Sequence, residues 1–235
     1  MMTRLLALSV LLLSLALTEL PSRSLAENTE NVFTPSFTVP DVDPSYYFKT
    51  VETLKKKDPA TLDRIDFLKF RRAYLAARDK NNLTIPSELE SEYKELLSQE
   101  DPDPDAVVEL CDKILALDFT DINRHIIRNY FLEQKGEDVS FYRDLTSRLI
   151  GSILDSGDGN TPETALHVFQ VKEEYEVLKM YRLELVDQSL VHAGDHSFDL
   201  LKCQDAEGKT YAIYFDITEH MQSIQDSLQS ANEQL

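Results

Sequence analysis

The hydrophobic pattern of this chain changes its period once, near Gly159, and this change constrains the fold more than any other feature. Before it, apolar residues recur every three or four positions, which is typical of amphipathic helices. After it, short runs alternate between apolar and polar residues, as half-buried strands do. We therefore expect an α+β fold, in which an N-terminal helical array precedes a small antiparallel sheet with one short helix.

The helical region is predicted over residues 45–156. One of its helices, over residues 61–79, carries an apolar stripe that consists of Phe67, Phe70, Tyr74 and Ala77. Arg71 and Arg72 are expected to face away from that stripe, where they would lie in solvent, form a salt bridge or bind an anion. Helix pairs of this length loosely resemble tetratricopeptide hairpins, but the Trp, Leu-Gly and Tyr signature is absent.

The sheet region is predicted over residues 157–220, and a last helix with a polar tail over residues 221–235. Strands are expected over residues 166–171, 183–186, 198–203 and 210–218, with a short helix over residues 173–180. Residues 205–208 have the length and the glycine of a hairpin turn. His192 and His196 flank Gly194 in a second expected hairpin, which is not the helix that a zinc-binding His pair needs.

The N-terminus is typical of an exported protein. Arg4 precedes an apolar run over residues 5–17 that is short for a membrane span, and small residues at Ser24 and Ala26 suit signal peptidase. We expect a signal peptide over residues 1–26, cleavage between Ala26 and Glu27, and an extended, unpacked leader over residues 27–44. The mature protein would be periplasmic or secreted, with no membrane span after cleavage.

The net charge and the two cysteines give expectations about binding partners and disulfide bonding. The net charge of −18 argues against a nucleic-acid partner, because phosphates would be repelled. Cys111 and Cys203 are the two cysteines, and in an oxidising compartment they form either a disulfide or two separately buried thiols.

The junction at residues 156–165 holds the candidate site residues. In a structural interpretation, Gly157 caps the preceding helix, Asp158 and Gly159 form a turn, and Pro162 begins a new helical turn. In a functional interpretation, Asp158, Glu163 and His167 converge on a ligand. The spacing does not match an EF-hand, so no metal is predicted.

Motifs for catalysis are missing from the sequence. No Gly-x-Ser-x-Gly motif or phosphate-binding loop occurs, so neither catalytic residues nor a cofactor are predicted. His125 lies beside an apolar helical stripe, with Thr120 as the expected N-cap, and is interpreted as a packed residue.

Several sequence segments along the mature chain resemble segments of a known protein family. They are residues 67–74, 114–118, 153–159, 161–165, 196–199 and 214–217, with Val168, Glu174 and Tyr175 between them. Together they resemble the bacterial proteins of domain-of-unknown-function family 4919. The resemblance implies export, since such proteins typically carry signal peptides, but it implies no reaction.

The sequence thus favours a non-enzymatic protein of the bacterial envelope that binds a protein or peptide partner, because helical arrays expose concave grooves. The alternative is an envelope hydrolase, or a protein that binds a small ligand or metal through an acidic pocket around Asp158, Glu163 and His167.

Overall fold

The chain divides into two compact units in a computed structural model, which describes residues 33–35, 41–78, 80–81 and 83–232. Asp41–Ile150 form the first unit, whereas residues 33–35 and the described residues from Gly151 onward form the second. The expected signal peptide and most of the expected leader lie outside the described residues. The α+β fold class is confirmed.

The first unit is helical, as the periodicity predicts. Its elements are α1 (Ser45–Leu54), a 3₁₀ helix (Pro59–Arg64), α2 (Phe67–Arg78), α3 (Ser87–Ser98), α4 (Pro104–Leu117), α5 (Ile122–Gln134) and α6 (Ser140–Leu154), whose last turn belongs to the second unit.

The helix predicted over residues 61–79 is two elements, and hydrogen-bonded aspartates explain the break. Asp58 accepts a hydrogen bond from the Ala60 amide at 3.0 Å and starts the 3₁₀ helix, in which Pro59 occupies the first turn. Asp66 then accepts from the Lys69 amide at 3.0 Å and begins α2. The helix over residues 122–134 likewise begins one residue later than predicted, because Asp121 rather than Thr120 caps it.

Aromatic rings join α1 to α2. Tyr47 stacks on Phe70 with ring centroids 5.5 Å apart, and its ring lies 5.3 Å from that of Tyr74. All four residues of the predicted stripe on α2 are buried, which confirms that face. Of the alternatives expected for the two arginines, exposure to solvent does not hold for Arg71, since only 1% of this residue is exposed. Arg72 forms an ion pair with Asp41 at 3.2 Å.

A second cluster in the first unit lies among α3, α4 and α5. Its buried members are Tyr93, Val107, Leu110, Cys111, Ile114, Ile127 and Phe131. Burial of these side chains is the main stabilisation of the three helices, because each helix presents an apolar stripe that water would otherwise hydrate.

The second unit is built on a four-stranded sheet of order β1-β4-β3-β2. Its elements are a 3₁₀ turn (Pro162–Thr164), β1 (Leu166–His167), α7 (Val171–Met180), β2 (Glu184–Ala193), β3 (His196–Gln204), β4 (Thr210–Asp216) and α8 (Thr218–Asn232). β2, β3 and β4 are antiparallel, whereas β1 pairs with β4 in parallel, so the sheet is mixed rather than antiparallel as predicted.

The strand predicted over residues 166–171 is only two residues long, and a helix start explains why. Glu173 accepts a hydrogen bond from the Phe169 amide at 2.8 Å, and α7 begins at Val171, which turns the chain out of the sheet. The predicted hairpins are present, with left-handed Gly194 at φ 57° and Gly208 at φ 83°.

Phe33 in the expected leader is packed, whereas the prediction was of an unpacked segment. The Phe33 ring lies 5.0 Å from His196 and 5.5 Å from Phe198, edge-on to the latter. Phe33 therefore covers one end of β3 in the second unit. None of the described helices combines the length and apolar character that crossing a bilayer requires.

Candidate functional site

Asp158 is exposed and serves the turn that contains it. Its Oδ1 accepts hydrogen bonds from the Asn160 amide at 3.0 Å and from the Thr164 hydroxyl at 2.5 Å. Burial raises the pKa of Asp158, but these hydrogen bonds outweigh it and hold the pKa below its usual value. These are the contacts that the structural interpretation of the junction expects.

Gly157 is required by close backbone approach rather than as a helix cap. The helix before it ends at Leu154, and a Cβ on Gly157 would lie 2.6 Å from the carbonyl oxygen of Ala165. Pro162 begins a 3₁₀ turn as predicted. Glu163 in that turn is half-buried.

His167 faces a different set of residues from those predicted. Its backbone amide donates to the Ser156 hydroxyl at 2.8 Å, and its Nδ1 lies 3.8 Å from Oδ2 of Asp216. The Nδ1 of His196 lies 2.8 Å from the same oxygen. The structure therefore brings His167 together with Asp216 and His196, while the hydrogen bonds of Asp158 are made within its own turn.

The register of the sheet produces this His–Asp–His cluster. His167 on β1 is paired with Asp216 on β4, and Asp216 is paired with Phe198 on β3. His196 lies two residues before Phe198 and therefore on the same face of the sheet. Sequence reasoning missed Asp216, because the strand order that places it between two histidines is not visible in a single strand's pattern.

The cluster places two imidazole rings beside a buried carboxyl group. The Asp216 side chain is 5% exposed, and the ring of Phe33 covers His196. No three His, Cys, Asp or Glu residues in the described part of the chain are arranged to hold a metal ion.

The remaining histidines with described contacts have local partners. His192 Nδ1 lies 3.1 Å from the Ser197 hydroxyl across the β2–β3 hairpin, a partner that the sequence did not reveal. His125 is buried, and its Nε2 contacts the carbonyl oxygen of Phe119 at 2.9 Å. Burial lowers the pKa of His125, so the interpretation as a packed residue is confirmed.

A groove between α3 and α4 forms a concave surface in the first unit. Its volume is about 230 Å³, and its lining residues are Glu92, Glu95, Leu96, Gln99, Ala106, Glu109, Leu110 and Lys113. Each helix contributes residues spaced i, i+3, i+4 and i+7, which is one face of an α-helix. The two faces thus form opposite walls.

The floor of the groove is apolar and its rim is acidic. Leu110 is buried, and Leu96 and Ala106 are half-buried. Glu92, Glu95 and Glu109 are exposed, and Lys113 pairs with Glu109 at 2.8 Å. The local field at the rim is therefore negative, and it favours positively charged groups.

Residues at the start of each helix stabilise the walls of this groove. Glu88 and Glu90 lie in the first turn of α3, where carboxylates stabilise the helix dipole. Asp103 caps α4 by accepting from the Asp105 amide at 3.1 Å, with Pro104 at the first position. Sequence reasoning located both helices, but not the pairing of their acidic faces.

Neither cysteine contributes to a site. Cys111 is buried in the α3–α4–α5 cluster, and Cys203 is buried on β3 in the other unit. Both are free thiols, and burial raises their pKa, to about 12 for Cys111 and to about 11 for Cys203. The structure thus has two separately buried thiols, one of the two arrangements expected from the sequence.

Comparison with protein families gives one match. The model of a family described as a domain of unknown function, DUF4919, matches residues 38–226. The chain belongs to the DUF4919 family. The resemblance drawn from the sequence strings is thereby confirmed.

The DUF4919 match covers both units, so the α3–α4 groove and the His–Asp–His cluster lie within the family's matched region. No curated protein and no solved structure matches the chain.

Proposed function

We propose that this protein is an exported, non-enzymatic binding protein whose α3–α4 groove holds a cationic, amphipathic segment of a partner protein. The observation that supports it is the groove itself, in which a floor of Leu96, Ala106 and Leu110 lies between walls that carry carboxylates. An amphipathic helix docks by placing apolar side chains in such a floor and charged ones at its rim.

The size of the groove favours a peptide over a small metabolite. Pockets for drug-sized ligands enclose about 300–1,000 Å³, whereas this groove is about 230 Å³. Its open, elongated lining along two helices accommodates a few side chains of a longer segment.

The rim selects the sign of the partner's charge. Glu109 already has Lys113 as its partner, whereas Glu92 and Glu95 stand exposed on the α3 wall. Lysine or arginine on the partner would contact these two carboxylates, and an acidic segment would be repelled by them. Export is supported by the apolar run and the small-residue cleavage site at residues 1–26.

Binding of a designed probe tests the groove. The probe is a fluorescent peptide of about 14 residues, with leucine and lysine placed to form an amphipathic helix about 20 Å long. We expect it to bind the mature chain, and Glu95→Lys to weaken binding about tenfold, which is about 1.4 kcal/mol. Glu207→Lys is the control, because Glu207 is also exposed but lies in the β3–β4 turn.

The same peptide with glutamate in place of lysine should not bind. Equal binding of the two peptides, or unchanged affinity in Glu95→Lys, would contradict the proposal. Fluorescence anisotropy at two salt concentrations measures both points, since a charge-selective site weakens as salt rises.

A further inference from the structure

β2 is a long strand at the edge of the sheet in the second unit. It has ten residues, and β3 pairs with it along one side. Within the described part of the chain no strand pairs with its other side, because β2 stands last in the strand order. Backbone amide and carbonyl groups along that outer side are a template for a further strand.

The edge has little of the usual protection against strand addition, namely a single register shift near its first residues. Natural edges are protected by lysine, proline, inward charges or bulges. β2 contains neither lysine nor proline, and its register shifts once, between Leu185 and Asp187. Val186 is 62% exposed and Leu190 is 52% exposed, so large apolar side chains stand in solvent on this strand.

The charges on and near β2 indicate which kind of partner strand would bind at its outer edge. Residues 183–201 include no lysine or arginine, and their acidic residues are Glu184, Asp187, Asp195 and Asp199. The nearest following cation, Lys202, contacts Asp187 at 2.9 Å. A second copy of the chain would bring the same acidic edge and a net charge of −18, which disfavours self-pairing.

We propose that the outer edge of β2 binds an extended, cationic segment of a partner protein as a fifth strand of the sheet. Main-chain hydrogen bonds hold the segment in register. Its apolar side chains pack beside Leu190 and Val186, and its lysine or arginine side chains contact Glu184 and Asp195. The site lies in the second unit and does not rest on the α3–α4 groove.

A pair of matched peptides tests strand addition. The probe is an extended peptide of about eight residues in which valine and threonine alternate with lysine, and its match carries methyl groups on alternate backbone amides. The methylated peptide cannot extend the hydrogen-bond ladder. We expect the mature chain to bind the unmodified peptide at least tenfold more tightly, with slower hydrogen exchange of β2 amides on binding.

Two substitutions locate the site. Leu190→Lys should weaken binding at least tenfold, because it places a cation on the edge and removes an apolar contact. Leu228→Lys on α8 is the control, since Leu228 is similarly exposed, at 61%. Val186→Lys repeats the test at an independent position should Leu190→Lys reduce the yield of folded protein.

Three results would overturn the proposal. The first is equal binding of the two peptides, and the second is unchanged binding in the folded Leu190→Lys or Val186→Lys variant. The third is a dimer whose β2 amides are protected from exchange without peptide, because a second copy of the chain would then occupy the edge. Glu95→Lys should leave this binding unchanged, so failure of the groove and failure of the edge are distinguishable.

Discussion

The carboxyl group of Glu174 on α7 lies beside that of Asp199 on β3, and both residues are buried in the second unit. Glu174 is fully buried, and Asp199 accepts a hydrogen bond from Gln188 at 2.9 Å. Burial, with Asp199 and Glu173 nearby, raises the pKa of Glu174 to about 9, so this carboxyl is protonated at neutral pH.

Glu174→Gln should therefore make the protein more stable at alkaline pH. The pKa of Glu174 is higher in the folded than in the unfolded state, so its contribution is full below about pH 4.5 and is lost as the pH rises toward 9. Glutamine stays neutral at every pH, and its amide N–H can donate to the neighbouring Asp199. Urea unfolding at pH 5, 7 and 9 should show the stability difference between variant and wild type growing with pH.

Glu207→Gln serves as the control for this series, because Glu207 is exposed. A stability difference for Glu174→Gln that does not change with pH would mean that Glu174 is ionised in the folded protein.

Two glycines should respond to alanine in opposite directions. Gly157→Ala places a Cβ 2.6 Å from the Ala165 carbonyl oxygen, which we expect to cost about 1–3 kcal/mol. Gly151→Ala, inside α6, meets nothing within 4 Å and should stabilise by about 0.5–1 kcal/mol. Thermal and chemical unfolding measure both, and a neutral Gly157→Ala would contradict the close approach.

Asp158→Ala should lower stability at neutral pH by about 1 kcal/mol, because the Asn160 and Thr164 bonds to the turn are lost. The pKa of Asp158 is lower in the folded state, so its contribution is present above the unfolded pKa and disappears as the pH falls below it. Unfolding at pH 7 and pH 3 measures this. Unchanged stability at pH 7 would instead favour the acidic-pocket interpretation.

Both thiols should be unreactive in the folded protein and free after unfolding. Burial of Cys111 and Cys203 limits access, and their raised pKa limits the thiolate fraction. Alkylation in denaturant without reductant should add two groups to the mass. A single protein species that takes up none would show that the two cysteines are joined by a disulfide.

The mature protein should begin at Glu27. Expression of the full chain in a Gram-negative host, followed by intact mass and N-terminal sequencing of the periplasmic fraction, measures the position of cleavage. Retention of residues 1–26 on a membrane-bound product would show that they form an anchor instead.

The local sequence pattern predicted much of this fold, because many of its features depend only on residues within one helix, strand or turn. Residue spacing predicted the apolar stripe on α2. Turn-forming residues predicted the β2–β3 and β3–β4 turns and the start of the Pro162 turn. The parallel pairing of β1 with β4 did not follow, because it depends on the register of strands far apart in sequence.

The site was harder to predict for the same reason. The charge of Arg71 predicts exposure to solvent, whereas packing in the fold buries this residue. His167 and His196 lie near Asp216 because of the order of the strands in the sheet. The groove depends on which faces of α3 and α4 are left uncovered, and a single helix does not reveal that.

Phe33 has a consequence for the order in which the chain becomes folded. Its ring partners, His196 and Phe198, are synthesised only after the whole of the first unit, so this contact cannot form until that unit has emerged. Closing so long a loop carries an entropic cost that only a preformed sheet offsets. A truncation that removes Phe33 would therefore expose His196 and Phe198, which lie far along the chain from the truncated end.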